Sequence, residues 1–194
     1  MKLYLIIISG CTLIISAVIA LVTEVNFLLV LAFTALAVVL VIAVDGLTAT
    51  IARLLPKKYA DEKSGIYQVG KKEKVFYEKL KIRKWKDKVP EIGHFTGFRK
   101  NKIADPKSVE YLDRFLLEAC YGEIGHFFSL FTGFLIMLFF PLTDVWIAIT
   151  IPVCSVNICL NLPSLFILRY NSYKLRILRN NLLKKQKQVE TVAA

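Results

Sequence analysis

Glu118, Glu123 and His126 are three ionisable side chains inside one largely apolar stretch. Glu123 and His126 stand at i and i+3, so a helix would place them on one face. Glu118 lies about two turns earlier, at ~80° from His126 around the axis. Three chemistries fit this set. Imidazole can act as a general base, taking a proton from a hydroxyl as it attacks an activated carbonyl, with a carboxylate to fix its tautomer. Glu-x-x-His is also half of the di-iron signature of helical bundles. That site wants a second copy and two further carboxylates, and the only other histidine, His94, lacks the spacing. The third possibility is a buried polar cluster that only orients helices.

A second polar series follows. Asn157, Asn161, Ser164 and Asn171 fall near one helix face, with Pro163 expected to interrupt the backbone beside Asn161. The series reads either as interhelical hydrogen bonding, worth ~0.6 kcal/mol per bond, or as a polar wall for a sugar or thioester group. Arg169 has the planar fork that suits a phosphate. Asp45 reads as an interfacial carboxylate, wet or paired with Arg53, or as a neighbour of Glu123 and His126; periodicity does not choose. His94, in Gly93-His94-Phe95-Thr96-Gly97-Phe98, reads as a loop histidine at headgroup level.

The elements that must hold these residues are membrane spans. The chain has 194 residues, 56% hydrophobic, with mean hydropathy +0.54. That apolar share exceeds the ~45–50% of soluble domains. The clean run Phe127–Phe140 is too short to cross a bilayer, which needs about 20 residues at ~1.5 Å each. Pro141 and Asp144 block extension forward, so the span must reach back through His126 and Glu123, and toward Glu118. Ionisable groups drawn into a membrane boundary cost roughly 1–3 kcal/mol each and are functional-site candidates by default. Spans are expected at about 3–22, 27–47, 119–140 and 144–168. Lys2 before the first gives a weak signal-peptide look, but the stretch is long and reads as an uncleaved helix. The connection between the first two spans allows only a tight helical hairpin. Asp105-Pro106 is the expected start of an amphipathic helix, with Val109, Leu112, Leu116 and Ala119 at helical spacing. It runs into the third span, where Gly122 and Gly125 would bend it or allow close helix contact.

Net charge is +11. Eighteen of the 26 Lys and Arg lie between Arg53 and Arg114, and seven more from Arg169 onward. Positive flanks mark the cytoplasmic side, so both termini are expected there. Residues 53–114 hold several Pro and Gly and read as a broken, partly helical segment whose aromatics suit anionic headgroups. The same pairing of basic and aromatic residues can bind single-stranded nucleic acid, but flanking spans argue against that. Residues 169–194 read as a basic tail, ending in solvated, disordered polar residues. The fold class expected is all-α: one polytopic membrane domain, 1–194, with about four transmembrane helices and an interfacial segment between the second and third. Cys11, Cys120, Cys154 and Cys159 show no CxxC spacing and read as small hydrophobes. Cys120 points ~120° away from His126 and is rejected as a nucleophile.

Ordered motifs then resemble a known family. They are Pro56-Lys57-Lys58-Tyr59; Phe76 to Pro90, including Trp85-Lys86-Asp87; Gly97-Phe98 with Lys100; the Glu118, Glu123 and His126 triplet; and Asn161-Leu162-Pro163 followed by Arg169-Tyr170-Asn171. From about Pro56 to Leu178 the chain resembles the glycosyl-4,4'-diaponeurosporenoate acyltransferases, small bacterial membrane proteins at the end of a glycosylated carotenoid pathway. Tyr121, Gly122 and Phe127 depart from its pattern, Lys174 fills a place usually held by Arg, and the N-terminal hairpin is an addition. The resemblance implies O-acyl transfer from a thioester, acyl-CoA or acyl carrier protein, to a sugar hydroxyl of a membrane glycolipid in the bacterial plasma membrane. His126 would be the base and Glu123 or Glu118 its orienting partner. Trp85, Lys86 and Asp87 would frame the donor, with Asn161, Arg169, Tyr170 and Asn171 lining the site. No metal or resident cofactor is expected, acyl-CoA being a co-substrate. Anionic lipid headgroups are expected partners and nucleic acid is not. The competing class is a non-enzymatic membrane adaptor that grips anionic lipid or a partner through its basic segment.

Overall fold

The computed structural model describes residues 2–89, 103–140 and 143–193. Pro90, the His94 loop with Gly97-Phe98 and Lys100, and Pro141 lie outside the described residues. Those described are helical or irregular, with no strand among them. Four helical segments are long and apolar enough to cross a membrane: Leu3–Thr23, Phe27–Leu54, Val109–Phe139 and Asp144–Val189. The chain forms two compact units, 1–54 with 125–163, and 55–124 with 164–194.

In the first unit, α1 (Lys2–Thr23) and α2 (Phe27–Leu54) form the expected hairpin. Glu24 adopts a left-handed φ of 56° in the turn. Asn26 then caps α2, its Oδ1 accepting the Leu28 and Leu29 backbone N–H groups at 2.9 and 3.3 Å. Val30, Ala37 and Val41 of α2 pack with Ile136, Trp146, Ile149 and Val153. Phe33, Phe140 and Trp146 meet edge to face, the last two with centroids 4.7 Å apart. Leu5, Ile6, Ile14, Leu21, Leu28 and Val39 point outward. So continuous an exposed apolar surface suits lipid rather than water.

The third span departs from a regular helix. Helix α5 (Val109–Thr132) gives way to a 3₁₀ helix, Gly133–Phe139. The Gly133 carbonyl accepts the Cys154 thiol at 3.3 Å, and a Cβ at Gly133 would lie 3.1 Å from Asn157 Nδ2. A 3₁₀ turn rises ~2.0 Å per residue rather than ~1.5 Å, so the short apolar run reaches further than an α-helix would take it. The start of α5 also differs from expectation. Asp105 Oδ1 accepts the Lys107 N–H at 3.1 Å in a local turn. The N-cap is Ser108, whose Oγ accepts the Tyr111 N–H at 3.1 Å.

The largest correction is at the C-terminus. Helix α6 runs unbroken from Asp144 to Ala193 and carries Pro152 and Pro163 inside it. Pro163 therefore does not interrupt the helix. Each proline removes one backbone donor, a loss that membrane helices tolerate when neighbours satisfy the freed carbonyl. The stretch from residue 169 is not a loose tail. In the second unit Leu175 is buried against Leu112, Phe115 and Leu116, with Leu178 and Leu182 beside it. Those three leucines recur at i, i+3 and i+7, an amphipathic stripe among the basic residues. Arg179 pairs with Glu62 at 3.4 Å and with Asp113.

The remainder of the second unit is broken, as its Pro and Gly predict. It comprises a 3₁₀ helix Lys57–Ala60, α3 (Lys71–Lys79), α4 (Ile82–Trp85) and a 3₁₀ turn Lys86–Lys88. Lys81, at φ 52°, makes the turn between α3 and α4. This segment is folded. Val69, Tyr77 and Ile82 are buried with Ile167 and Tyr170, and Ala60 and Tyr67 with Cys120.

Candidate active site

The first unit holds a chain of polar side chains that begins at the half-buried His126. Its Nδ1 lies 2.8 Å from Asn161 Oδ1. Asn161 Nδ2 faces three acceptors: Asp45 Oδ2 at 2.9 Å, Asn157 Oδ1 at 3.0 Å and the Asn157 carbonyl at 3.2 Å. That surrounding fixes the amide nitrogen on the Asp45 side and its oxygen on the histidine side. An amide oxygen only accepts, so His126 Nδ1 donates. The neutral ring then holds its proton on Nδ1 and its lone pair on Nε2. Asn157 Nδ2 completes the network, donating to Asp45 Oδ1 and to the Ser129 carbonyl, each at 3.2 Å. Asn157 and Asn161 are both buried.

The sequence assigned a glutamate to orient His126; the structure gives Nδ1 to Asn161. The spacing i, i+3 brings Glu123 and His126 to one helix face, but a side chain's partner depends on the helices packed beside it. Asp45 was left open between an interfacial role and a place in the cluster. It accepts both asparagine amides and belongs to the network. Its signal was visible: it is the single acid in a helix of 28 residues, and an intramembrane carboxylate is a site candidate.

Glu123 serves the second unit's polar cluster. It is buried, with Oε2 accepting Arg169 Nη1 at 2.9 Å and Oε1 accepting the Ser172 hydroxyl at 3.2 Å. Arg169 grips Glu73 in a two-pronged fork, through Nε to Oε1 and through Nη2 to Oε2 at 3.0 Å. Its Nη1 also donates to the Ile66 carbonyl at 3.0 Å. Tyr77 donates its hydroxyl to Glu73 Oε1 at 2.5 Å. Burial alone would raise the Glu73 carboxyl, but the Arg169 and Tyr77 hydrogen bonds and the Arg169 charge outweigh it and hold it below its ordinary value. Tyr77 moves the other way. Burial, then its bond to Glu73 and that group's charge, push the phenol well above its ordinary range.

Arg169, expected to hold a phosphate, thus has its fork filled by carboxylates. Sequence reasoning missed Glu73, since an acid in Lys71-Lys72-Glu73-Lys74 reads as a solvated charge. The other expected residues are dispersed over the second unit. Tyr170 is buried and its hydroxyl accepts Lys174 Nζ at 2.8 Å. Trp85 donates Nε1 to the Leu80 carbonyl at 2.9 Å. Lys86 is half-buried and Asp87 exposed, while Glu118 and Asn171 are half-buried. Cys120 is buried beside Ala60 and Tyr67.

Of the two glycines of α5, Gly122 permits an approach that a Cβ would crowd, while Gly125 leaves room for one. A Cβ on Gly122 would fall 2.9 Å from Leu168 Cδ1, and one on Gly125 3.6 Å from Ala49 Cα. The helix continues through both.

No curated protein and no solved structure matches the chain significantly. The model of one protein family does match, over residues 56–181, which takes in α3 to α5, His126, Asn157, Asn161 and Arg169. With four membrane-length helices and this match over most of its length, the chain belongs to the glycosyl-4,4'-diaponeurosporenoate acyltransferase family.

Proposed function

We propose that the protein transfers a fatty acyl group from a thioester, acyl-CoA in the first instance, to a sugar hydroxyl of a membrane glycolipid of the glycosylated carotenoid type. The observation that carries this reading is the Nδ1 hydrogen bond of His126 to Asn161. It presents Nε2 as the basic nitrogen, the tautomer a general base requires. In the reaction the acceptor oxygen forms a bond to the thioester carbonyl carbon as Nε2 takes the hydroxyl proton. The tetrahedral intermediate collapses with cleavage of the C–S bond. The proton passes from the imidazolium to the departing thiolate, giving an ester and free CoA thiol.

The lysines around Trp85, with Lys84, Lys86 and Lys88, supply positive charge for the CoA phosphates. Asp87, Tyr170 and Asn171 are candidates for shaping the donor's surroundings. Glu123 acts through Arg169, and the pair keeps the folded form of the segment that carries those lysines.

The test uses purified protein, radiolabelled acyl-CoA and a membrane glycolipid extract. Wild type is expected to yield labelled glycolipid, and His126→Ala to cut turnover by about 10²–10⁴ with the fold intact. A His126→Ala protein with wild-type turnover would remove the base assignment. A wild-type protein that binds the extract and forms no labelled product would favour the adaptor reading instead.

A further inference from the structure

The family match begins at residue 56. Asp45 precedes it, on the N-terminal hairpin, yet it accepts the side-chain amides of both relay asparagines. We propose that Asp45 is a positioning residue for the acyl transfer, setting the tautomer of His126 through Asn161 and Asn157. This rests on His126 being the base.

The argument is one of hydrogen-bond polarity. A carboxylate accepts at both oxygens and donates at neither. Asn157 Nδ2 and Asn161 Nδ2 both point at Asp45, at 3.2 and 2.9 Å. With both amide nitrogens committed toward one acceptor, Asn161 must show its oxygen to His126, and the ring must donate from Nδ1. Asp45 acts through Asn161, whose amide bonds both the carboxylate and the ring, and so sets the direction of the bonds between. Asn157 is locked from two further sides, by the Ser129 carbonyl and by Asn161.

Asparagine at position 45 breaks this polarity while keeping shape. An amide offers one acceptor and one donor edge, so a donor must now face a donor somewhere in the chain of amides. Moving that mismatch between asparagines relieves nothing, because each amide has the same two edges. Two groups can accept where they formerly donated: the Ser129 hydroxyl, which also bonds Asp45, and the imidazole, by shifting its proton to Nε2. Along the Asn161 branch the mismatch is relieved at the ring, and the base loses its lone pair on the reactive nitrogen.

The same hairpin gives the proposal a wider setting. The helix that carries Asp45 also contributes Val38, Val41 and Ile42 to a small apolar cleft of about 40 Å³, and Asn157 is the relay member in its wall. The hairpin thus bears on the relay from both its carboxylate and its packing.

The test reads the tautomer directly. The chain has two histidines, so ¹⁵N-histidine labelling in detergent micelles gives two ring signatures, and His94→Gln assigns them. Wild type is expected to show His126 protonated at Nδ1. Asp45→Asn is expected to show the Nε2-protonated form and to lower kcat by about 10²–10⁴, with KM for acyl-CoA unchanged. Asp45→Glu keeps two acceptors and is expected to restore kcat to within about tenfold of wild type, although it adds a methylene to a packed site. A merely structural role predicts the reverse order, with Glu as harmful as Asn or worse. An Nε2-protonated His126 in wild type overturns the proposal even if Asp45→Asn fails to fold. So does an Asp45→Asn protein with wild-type kcat. Loss of turnover in His126→Ala with none in Asp45→Asn removes only the role of Asp45. Full turnover in His126→Ala removes the base itself, whatever the tautomer spectrum reads.

Discussion

Each compact unit buries one polar cluster, and the two differ in how charge is handled. In the second unit Arg169 sits between Glu73 and Glu123, with Tyr77 and Ser172 on the remaining lone pairs. Charges face charges there, and the chemistry of every group is committed. In the first unit the Asp45 carboxylate accepts from two neutral amides, and one of them meets an imidazole. Removing a partner from a buried ion pair costs fold stability, because the other charge is left uncompensated. Changing one polarity in an amide relay leaves no bare charge, and its cost is that of one unsatisfied polar group, about 1–3 kcal/mol. The difference teaches that Glu123, which the sequence grouped with His126, is bonded into the Arg169 cluster, while Asn161 is the group that meets the ring and Asp45 meets both asparagines.

The sharpest way to break this comparison is a pair of substitutions. Arg169→Met strands two carboxylates and is expected to lower stability by about 3–5 kcal/mol, read by thermal unfolding in detergent. His126→Ala is expected to leave the unfolding midpoint near wild type while turnover collapses. Equal loss of stability in both would erase the distinction between the clusters. Glu123→Gln comes next. It weakens one charged hydrogen bond of the scaffold, at a cost of about 1–3 kcal/mol. Turnover per folded molecule is expected to stay within about threefold of wild type. A turnover loss as large as that of His126→Ala would return Glu123 to the chemistry.

A pH series sharpens the same point. The Glu73 carboxyl titrates below its ordinary value of 4.5 in the folded protein. The unfolded chain therefore binds more protons in that range, and stability rises with pH there. The contribution of Glu73 is complete above 4.5 and is lost as pH falls through the depressed folded value. Glu73→Gln is expected to flatten that acid limb of the unfolding midpoint; an unchanged limb would mean that the fork with Arg169 contributes nothing. The smallest effect belongs to Tyr77→Phe, which removes one hydroxyl donor to Glu73 and is expected to cost about 1 kcal/mol with turnover unaltered. It should shrink further in the Glu73→Gln background.

Much of the architecture was legible because it follows from local pattern. The four apolar stretches, the tight turn after Thr23 and the broken basic segment each have a signature a few residues long. The buried face of α5, with Leu112, Leu116 and Ala119, recurs at helical spacing and is buried as that spacing implies. Element ends were less legible. Asp105 and Ser108 are both good caps, and which one closes the helix depends on the local turn at Lys107. The last turns of α6 were hidden by charge. Leu175, Leu178 and Leu182 sit among seven basic residues from Arg169 onward, and composition alone reads such a stretch as solvated.

The site divides along the same line. Sequence determined that this is a helical membrane protein with a histidine in a span, that asparagines follow at helical spacing, and that the segment from residue 56 carries family motifs. Those are properties of residue type and period. Only the tertiary structure decided which groups meet. Arg169 and Glu73 are 96 residues apart, and Asn161 and Asp45 are 116 apart. No period within one helix encodes a pairing between helices, because a hydrogen bond is made by whatever packing brings within about 3 Å.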